Sequence, residues 1–121
     1  MSFIYEIAKQ KMMDSTLGNL TSATVKIGLV TTANLVTDTA LPTRVGTDQT
    51  LTGVTVASGV FDANNPTFTA VAAGSTVIGV VIYTGTTPIA YVNSGAGLPF
   101  ATNGGDVTLN FSDSATKIFK L

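Results

Sequence analysis

The chain contains no cysteine, no histidine and no tryptophan. Without cysteine there is no disulfide framework, no thiolate zinc site and no thiol nucleophile. Without histidine the commonest metal ligand is gone, as is the one side chain whose ordinary pKa lies near neutrality. Charge is sparse as well, with six basic against seven acidic residues, and Glu6 is the lone glutamate. Lys9 and Lys11 sit near one end, Lys117 and Lys120 near the other, while Lys26 and Arg44 stand apart. Nucleic-acid binding needs a basic patch that displaces counterions, and these positions make a weak one. Long apolar runs are missing too. The longest, residues 77–83, falls far short of the roughly 20 residues that span a bilayer. Residues 1–10 lack the basic start and continuous apolar stretch of a secretory signal. The expectation is a chain with no nucleic-acid partner, no membrane partner and no cofactor.

What is abundant is threonine, at 21 of 121 residues, together with valine, alanine and glycine. Threonine and valine suit a pleated, half-buried surface. A chain of this length is one ordinary domain, residues 1–121, able to bury a real core without metals or disulfides. A surface so poor in charge is less protected against sticking to neighbours, a smaller liability for a subunit of an assembly than for a free protein.

Residues 2–14 form the helix candidate. Ile4, Ile7 or Ala8, and Lys11 or Met12 recur at the spacing of one helical face. Ser2 is the expected N-cap, though Tyr5 replaces the Glu or Gln of a full capping box. Lys9 and Lys11 favour the negative end of the helix dipole. Residues 24–31 alternate as a strand, and residues 32–48 read as a long polar loop. Further strands are expected at 51–57, 67–71, 76–83, 89–93, 106–111 and 117–121, with a turn or bulge at Ser58-Gly59. The run 76–83 is apolar on both parities, as in a central strand covered on both faces. About seven short strands between frequent turns predict a mainly β fold, a single β-sandwich or barrel-like domain preceded by one N-terminal α-helix.

Candidate chemistry is thin. Asn103-Gly104-Gly105-Asp106 reads first as a tight turn, because glycine supplies positive φ without a steric cost. Gly95-Ala96-Gly97 lacks the Gly-Lys-Ser/Thr of a phosphate loop. Asp62 and Asn64 have calcium-like spacing without the glycine and distal glutamate of a calcium loop, so a turn stabilised by the side chain is the better reading. The hydroxyls have no histidine to activate them. Asn19-Leu20-Thr21 and Asn110-Phe111-Ser112 match the glycosylation pattern, which is frequent by chance in such a sequence. No catalytic or metal-binding residue is expected, and the chain does not read as an enzyme. The remaining candidates are apolar. Phe3, Ile4, Ile7 and Met12 either cover the domain's own core, the usual role of an amphipathic face, or dock onto a partner.

The order of elements resembles a family of small virion proteins of tailed bacteriophages. The likeness runs through Val25-Lys26-Ile27-Gly28-Leu29-Val30 after a short helix, then Val-Phe-Asp-Ala at 60–63 and Thr-Phe-Thr-Ala at 67–70. It continues with the apolar strand ending in Ile82-Tyr83, Ile-Ala-Tyr at 89–91 and Gly-Leu-Pro at 97–99. Asn-Gly-Gly-Asp at 103–106 and Lys-Ile-Phe-Lys-Leu at 117–121 complete it. The resemblance implies a capsid decoration (cement) protein that binds the major capsid protein and copies of itself, with a trimer as the expected oligomer. It would be made in the host cytoplasm and sit on the virion, on the head surface rather than the tail. The alternative is a tail or fibre-associated protein that contacts a host receptor.

Overall fold

The computed structural model describes residues 3–14, 24–32, 34–57, 60–92, 98–109 and 119–120. The expected Ser2 cap, the Ser58-Gly59 turn, the Gly95-Ala96-Gly97 loop and the glycosylation patterns at Asn19 and Asn110 lie outside them.

Among the described residues the fold is mainly β with one helix. Strands β1 (Phe3–Ile4), β2 (Lys26–Val30), β3 (Arg44–Thr50), β8 (Gly79–Thr84) and β9 (Thr87–Val92) form an antiparallel sheet in the order β1-β9-β8-β2-β3. Three smaller sheets are built from β4 (Thr55–Ala57), β5 (Val60–Asp62), β6 (Thr67–Phe68), β7 (Thr76–Val77), β10 (Phe100–Ala101), β11 (Val107–Thr108) and β12 (Phe119–Lys120). Their orders are β12-β5-β4, β11-β6 and β10-β7. The main sheet ends in two free edges, β1 and β3, so the barrel-like alternative does not hold: the sheet does not close on itself.

The first segment departs from the helical reading. The helix α1 spans Glu6–Met13, with Tyr5 at its N-cap making no side-chain capping bond. Phe3 and Ile4 instead pair with Tyr91 and Ala90 of β9. Ile4 lies opposite Ala90, and the next residue, Tyr5, donates its N–H to Ile89 O at 2.9 Å. A free edge of β9 satisfies these backbone groups, which a helix start would leave orphaned. The helix is then turned by the bond from Glu6 N–H to Val36 O, 2.9 Å.

The loop expected at 32–48 is shorter, because residues 44–50 pair with β2 as an edge strand. Its polar composition hides it, since an edge strand buries little. The expected strand at 76–83 is divided at Ile78. Residues 76–77 pair with β10, while β8 pairs with both β2 and β9. Gly79 through Tyr83 are all buried, as expected of a central strand.

Cross-strand register sorts the sheet into two apolar faces. On one, Ile4, Ala90, Ile82 and Ile27 form a row, beside Val92, Val80 and Leu29. On the other, Phe3, Tyr91, Val81 and Gly28 form a row, beside Gly79 and Val30. Ile27, Leu29, Val80, Val81 and Ile82 are completely buried and belong to one core cluster with Phe61 and Phe68 from the small sheets and with Val71 and Leu109 beyond their strands. Each such side chain contributes about 1.5–3 kcal/mol on leaving water.

On the second face Tyr91 lies over Gly79. A Cβ at Gly79 would meet the Tyr91 ring at 2.6 Å. Tyr91 is 2% exposed and has no free direction to swing. Gly79→Ala is therefore expected to destabilise the fold by about 1–3 kcal/mol, as overpacking does. Urea unfolding measures this, and an unchanged midpoint would contradict the packing described.

Candidate functional site

The four residues singled out as a possible interface are turned toward the protein's own core. Ile4 is buried, and Phe3, Ile7 and Met12 are half-buried against the core cluster. The Phe3 ring meets Tyr5 edge-on at 5.0 Å and lies tilted against Tyr91 at 5.4 Å. Their apolar surface is largely used within the chain. Among the described residues the large apolar side chains in solvent are others: Met13 at the end of α1, Leu35, and Val56 in β4. Leu35 sits on a short turn in which its N–H bonds to Asp38 Oδ2 at 2.9 Å and Asp38 N–H bonds back to Leu35 O at 3.0 Å. The neighbouring Val36 carbonyl holds the start of α1.

A polar cluster lies on the second sheet face and comes from a bulge. Ile27 pairs with Gln49 and Leu29 with Val45, so residues 46–48 stand opposite the single Gly28. Gly46, at φ 71°, takes the left-handed conformation that such a bulge uses. In a regular strand residues four apart are roughly 13 Å from one another. Here the bulge folds Asp48 back toward Arg44, and Arg44 Nε bonds to Asp48 Oδ2 at 2.7 Å. Arg44 Nη1 also donates to Pro42 O at 2.9 Å. Its guanidinium carbon sits 5.1 Å from the centre of the Tyr83 ring, within cation–π range. Tyr83 donates its hydroxyl to Asp48 Oδ2. The cluster occupies the space where a side chain on Gly28 would be: a Cβ there would collide with Arg44 Cδ and Asp48 Oδ1.

This arrangement is a brace. The Arg44, Asp48 and Tyr83 polar groups are engaged with one another. They tie edge strand β3 to central strand β8 across β2. Burial, and then the Asp48 hydrogen bond and charge, push the Tyr83 phenol up from 10.0 to about 12, against a smaller lowering by Arg44. Burial likewise raises Tyr91. Tyr5 is raised by burial first, then by the Asp38 carboxylate and Tyr91. Its hydroxyl is enclosed without a hydrogen-bond partner among the described residues.

A shallow depression of about 320 Å³ opens beside β11, lined by Phe100, Asn103, Asp106 and Val107 among others. Its polar groups serve the fold: Asp106 Oδ1 accepts the Ala70 N–H at 2.9 Å, and Asn103 Oδ1 accepts the Gly105 N–H at 2.9 Å. The second of these lies within the tight turn expected at 103–106, where Gly104 takes φ 85° and the Asn103 side chain adds a bond that the expectation did not include. At the other candidate turn, Asn64 reaches instead to Thr52, its N–H to the carbonyl at 2.8 Å and its Nδ2 to the hydroxyl at 3.2 Å. Among the described residues no three acidic side chains gather as a metal site. Among the described residues no helix is long and apolar enough to cross a membrane.

Nothing in residue type or spacing signals the Arg44–Asp48–Tyr83 cluster. Its members are far apart in the chain or too far apart in a regular strand, and only the bulge unites them. No protein-family model, no curated protein and no solved structure matches the chain.

The chain has three tyrosines, and all three phenols are held above the ordinary 10.0. A raised phenol pKa favours the fold while the unfolded chain would stay protonated. That contribution is whole below pH 10.0 and for Tyr83 is lost as pH rises toward about 12. The folded protein is expected to show little tyrosinate absorbance at pH 10, where the urea-unfolded chain is half ionised. Asp48→Asn should bring the Tyr83 midpoint below about 12 yet keep it above 10.0, because burial is its largest cause. The same change should cost about 1–2 kcal/mol for this partly exposed pair. Early ionisation of all three phenols would contradict the burial described.

Proposed function

We propose that this chain is a decoration protein of a tailed-bacteriophage head, bound to major capsid subunits and to neighbouring copies of itself. What carries this reading is where the phage-like motifs fall. Residues 80–83 lie in β8, residues 89–91 in β9, residues 67–68 in β6, and residues 103–106 in the turn before β11. The shared features are therefore those that build the framework. A family related by framework is one whose product is a shape. The composition supports the same view: many threonines, few charges, and no histidine or cysteine suit a surface that binds by buried area.

The mechanism is clamping. A rigid sheet braced on one face presents loops and small-sheet edges to the shell, and many equal, individually weak contacts add by avidity. Closed rings suit local three-fold positions, so a trimer is the oligomer proposed. Among the exposed apolar side chains, Leu35 is the contact proposed for the shell, because its turn is pinned from both sides. A role in the tail, contacting a host receptor, is the competing assignment.

Two measurements decide this. Purified particles should carry the protein at a copy number near that of the major capsid protein, and a particle map should place it over the head. A faint gel band with density confined to the tail tip would assign it to the tail. Leu35→Asp should change folding stability by less than about 0.5 kcal/mol, as exposed substitutions do, while reducing retention on particles stripped of the protein. Undiminished retention would remove Leu35 from the contact.

A further inference from the structure

We propose that Asn103 is a site of spontaneous covalent modification, closing to a succinimide with Gly104 and opening to isoaspartate, and that this change releases the β11–β6 ribbon. The proposal is independent of what the surface binds. Of the asparagines in the chain, Asn103 alone is followed by glycine. Asn65 precedes proline, whose nitrogen cannot react, and Asn34 and Asn64 precede side chains that shield the next nitrogen.

The geometry adds to the sequence pattern. Asn103, Gly104 and Gly105 are all exposed. The Asn103 side-chain carbonyl accepts the Gly105 N–H at 2.9 Å, which draws electron density from Cγ and holds it over its own following backbone. Gly104, at φ 85°, has open space around it. Its N–H has no hydrogen-bond partner among the described residues. The deprotonated Gly104 nitrogen attacks Cγ of Asn103. A C–N bond forms, the Cγ–Nδ2 bond breaks, and Nδ2 leaves as ammonia after taking up a proton. Water then opens the ring. Attack at Cγ gives aspartate, while attack at the main-chain carbonyl gives isoaspartate, in which the backbone runs through the side chain with an added methylene. Either product gains one negative charge.

The turn cannot absorb the longer backbone without cost to its neighbours. Gly105 O accepts the Val71 N–H at 3.1 Å, and Asp106 Oδ1 accepts the Ala70 N–H at 2.9 Å. Val107 and Thr108 pair with Phe68 and Thr67 immediately beyond. Ala70 is held at φ 50°, a conformation that a non-glycine residue adopts only under restraint. Shifting Asp106 removes that restraint. Aspartate at 103 leaves the backbone length unchanged and keeps an oxygen to accept the Gly105 N–H.

The test is incubation of the folded protein in mildly alkaline buffer, which promotes loss of the amide proton. Site-resolved mass spectrometry follows each asparagine, an isoaspartyl methyltransferase labels the product, and hydrogen exchange follows Ala70 and Val71. The expected result is an acid mass at Asn103 ahead of Asn34 and Asn64, methyl labelling there, and loss of exchange protection at Ala70 and Val71. Asn103→Asp should keep that protection. An amide retained at Asn103 in the folded protein while the urea-unfolded chain converts would overturn the proposal. Conversion at the same rate as Asn34 and Asn64 would do the same. Loss of protection in Asn103→Asp would overturn the link to backbone lengthening.

Discussion

A five-stranded sheet with apolar residues on both faces must find cover for both within one short chain, and the rest of the structure follows from that requirement. On the face of Val30 and Val81 the cover comes from within the sheet. Tyr91 lies across Gly79, and the Arg44–Asp48 pair lies across Gly28. Each glycine leaves a hollow in a central strand, and a neighbouring strand fills it with a side chain of its own. The Phe3 ring extends the cover by packing on Tyr91. This is why β1 must be a strand. Register with β9 delivers Phe3 opposite Tyr91, whereas a helix continued through residues 3 and 4 would not hold it there.

The same requirement accounts for the bulge in β3. An edge strand exposes unpaired backbone groups and invites association with another chain. Residues 46–48 interrupt its pairing, and the charged pair it creates sits on the sheet instead of along the edge. Arg44 brings its aliphatic stem over Gly28 and its guanidinium to the Tyr83 ring, the usual division of a long cation between apolar and polar surroundings. The bulge thus blunts the edge and covers the face with one local distortion.

The central part of the fold was legible because its residues carry one unambiguous signal. Residues 79–83 are apolar on both parities, and a strand buried on both faces is the one short element that uses such a pattern. The Asn103-Gly104-Gly105 turn was equally plain. What escaped did so for identifiable reasons. Ile4, Ile7, Ala8 and Met12 satisfy helical spacing whether or not the helix includes Ile4, so periodicity alone could not see β1. Residues 44–50 carry Arg, Gly, Thr, Asp and Gln, and an edge strand with a bulge needs no apolar alternation. The brace was invisible because its parts meet only through that bulge. The four apolar residues offered as a possible interface share a side-chain character, but their surroundings depend on β9, which the spacing of one segment does not report.

The consumption of Phe3, Ile4, Ile7 and Met12 by the core bears on the proposed shell role. A partner surface built on them would have had the apolar area for a tight individual contact. Among the described residues the large apolar side chains left in solvent are Met13, Leu35 and Val56. Scattered exposed apolar residues are ordinary on a monomer and do not make a patch. A single copy with such a surface gains little per contact, so strong retention on any target must come from repetition. A repeating shell supplies that repetition, and a rigid subunit serves it better than an adaptable one because each copy meets the same geometry and loses less freedom on docking. The internal bracing and the scarcity of large apolar side chains at the described surface thus have one cause: the distinctive side chains, Arg44, Asp48, Tyr83 and Tyr91 among them, hold the sheet's shape.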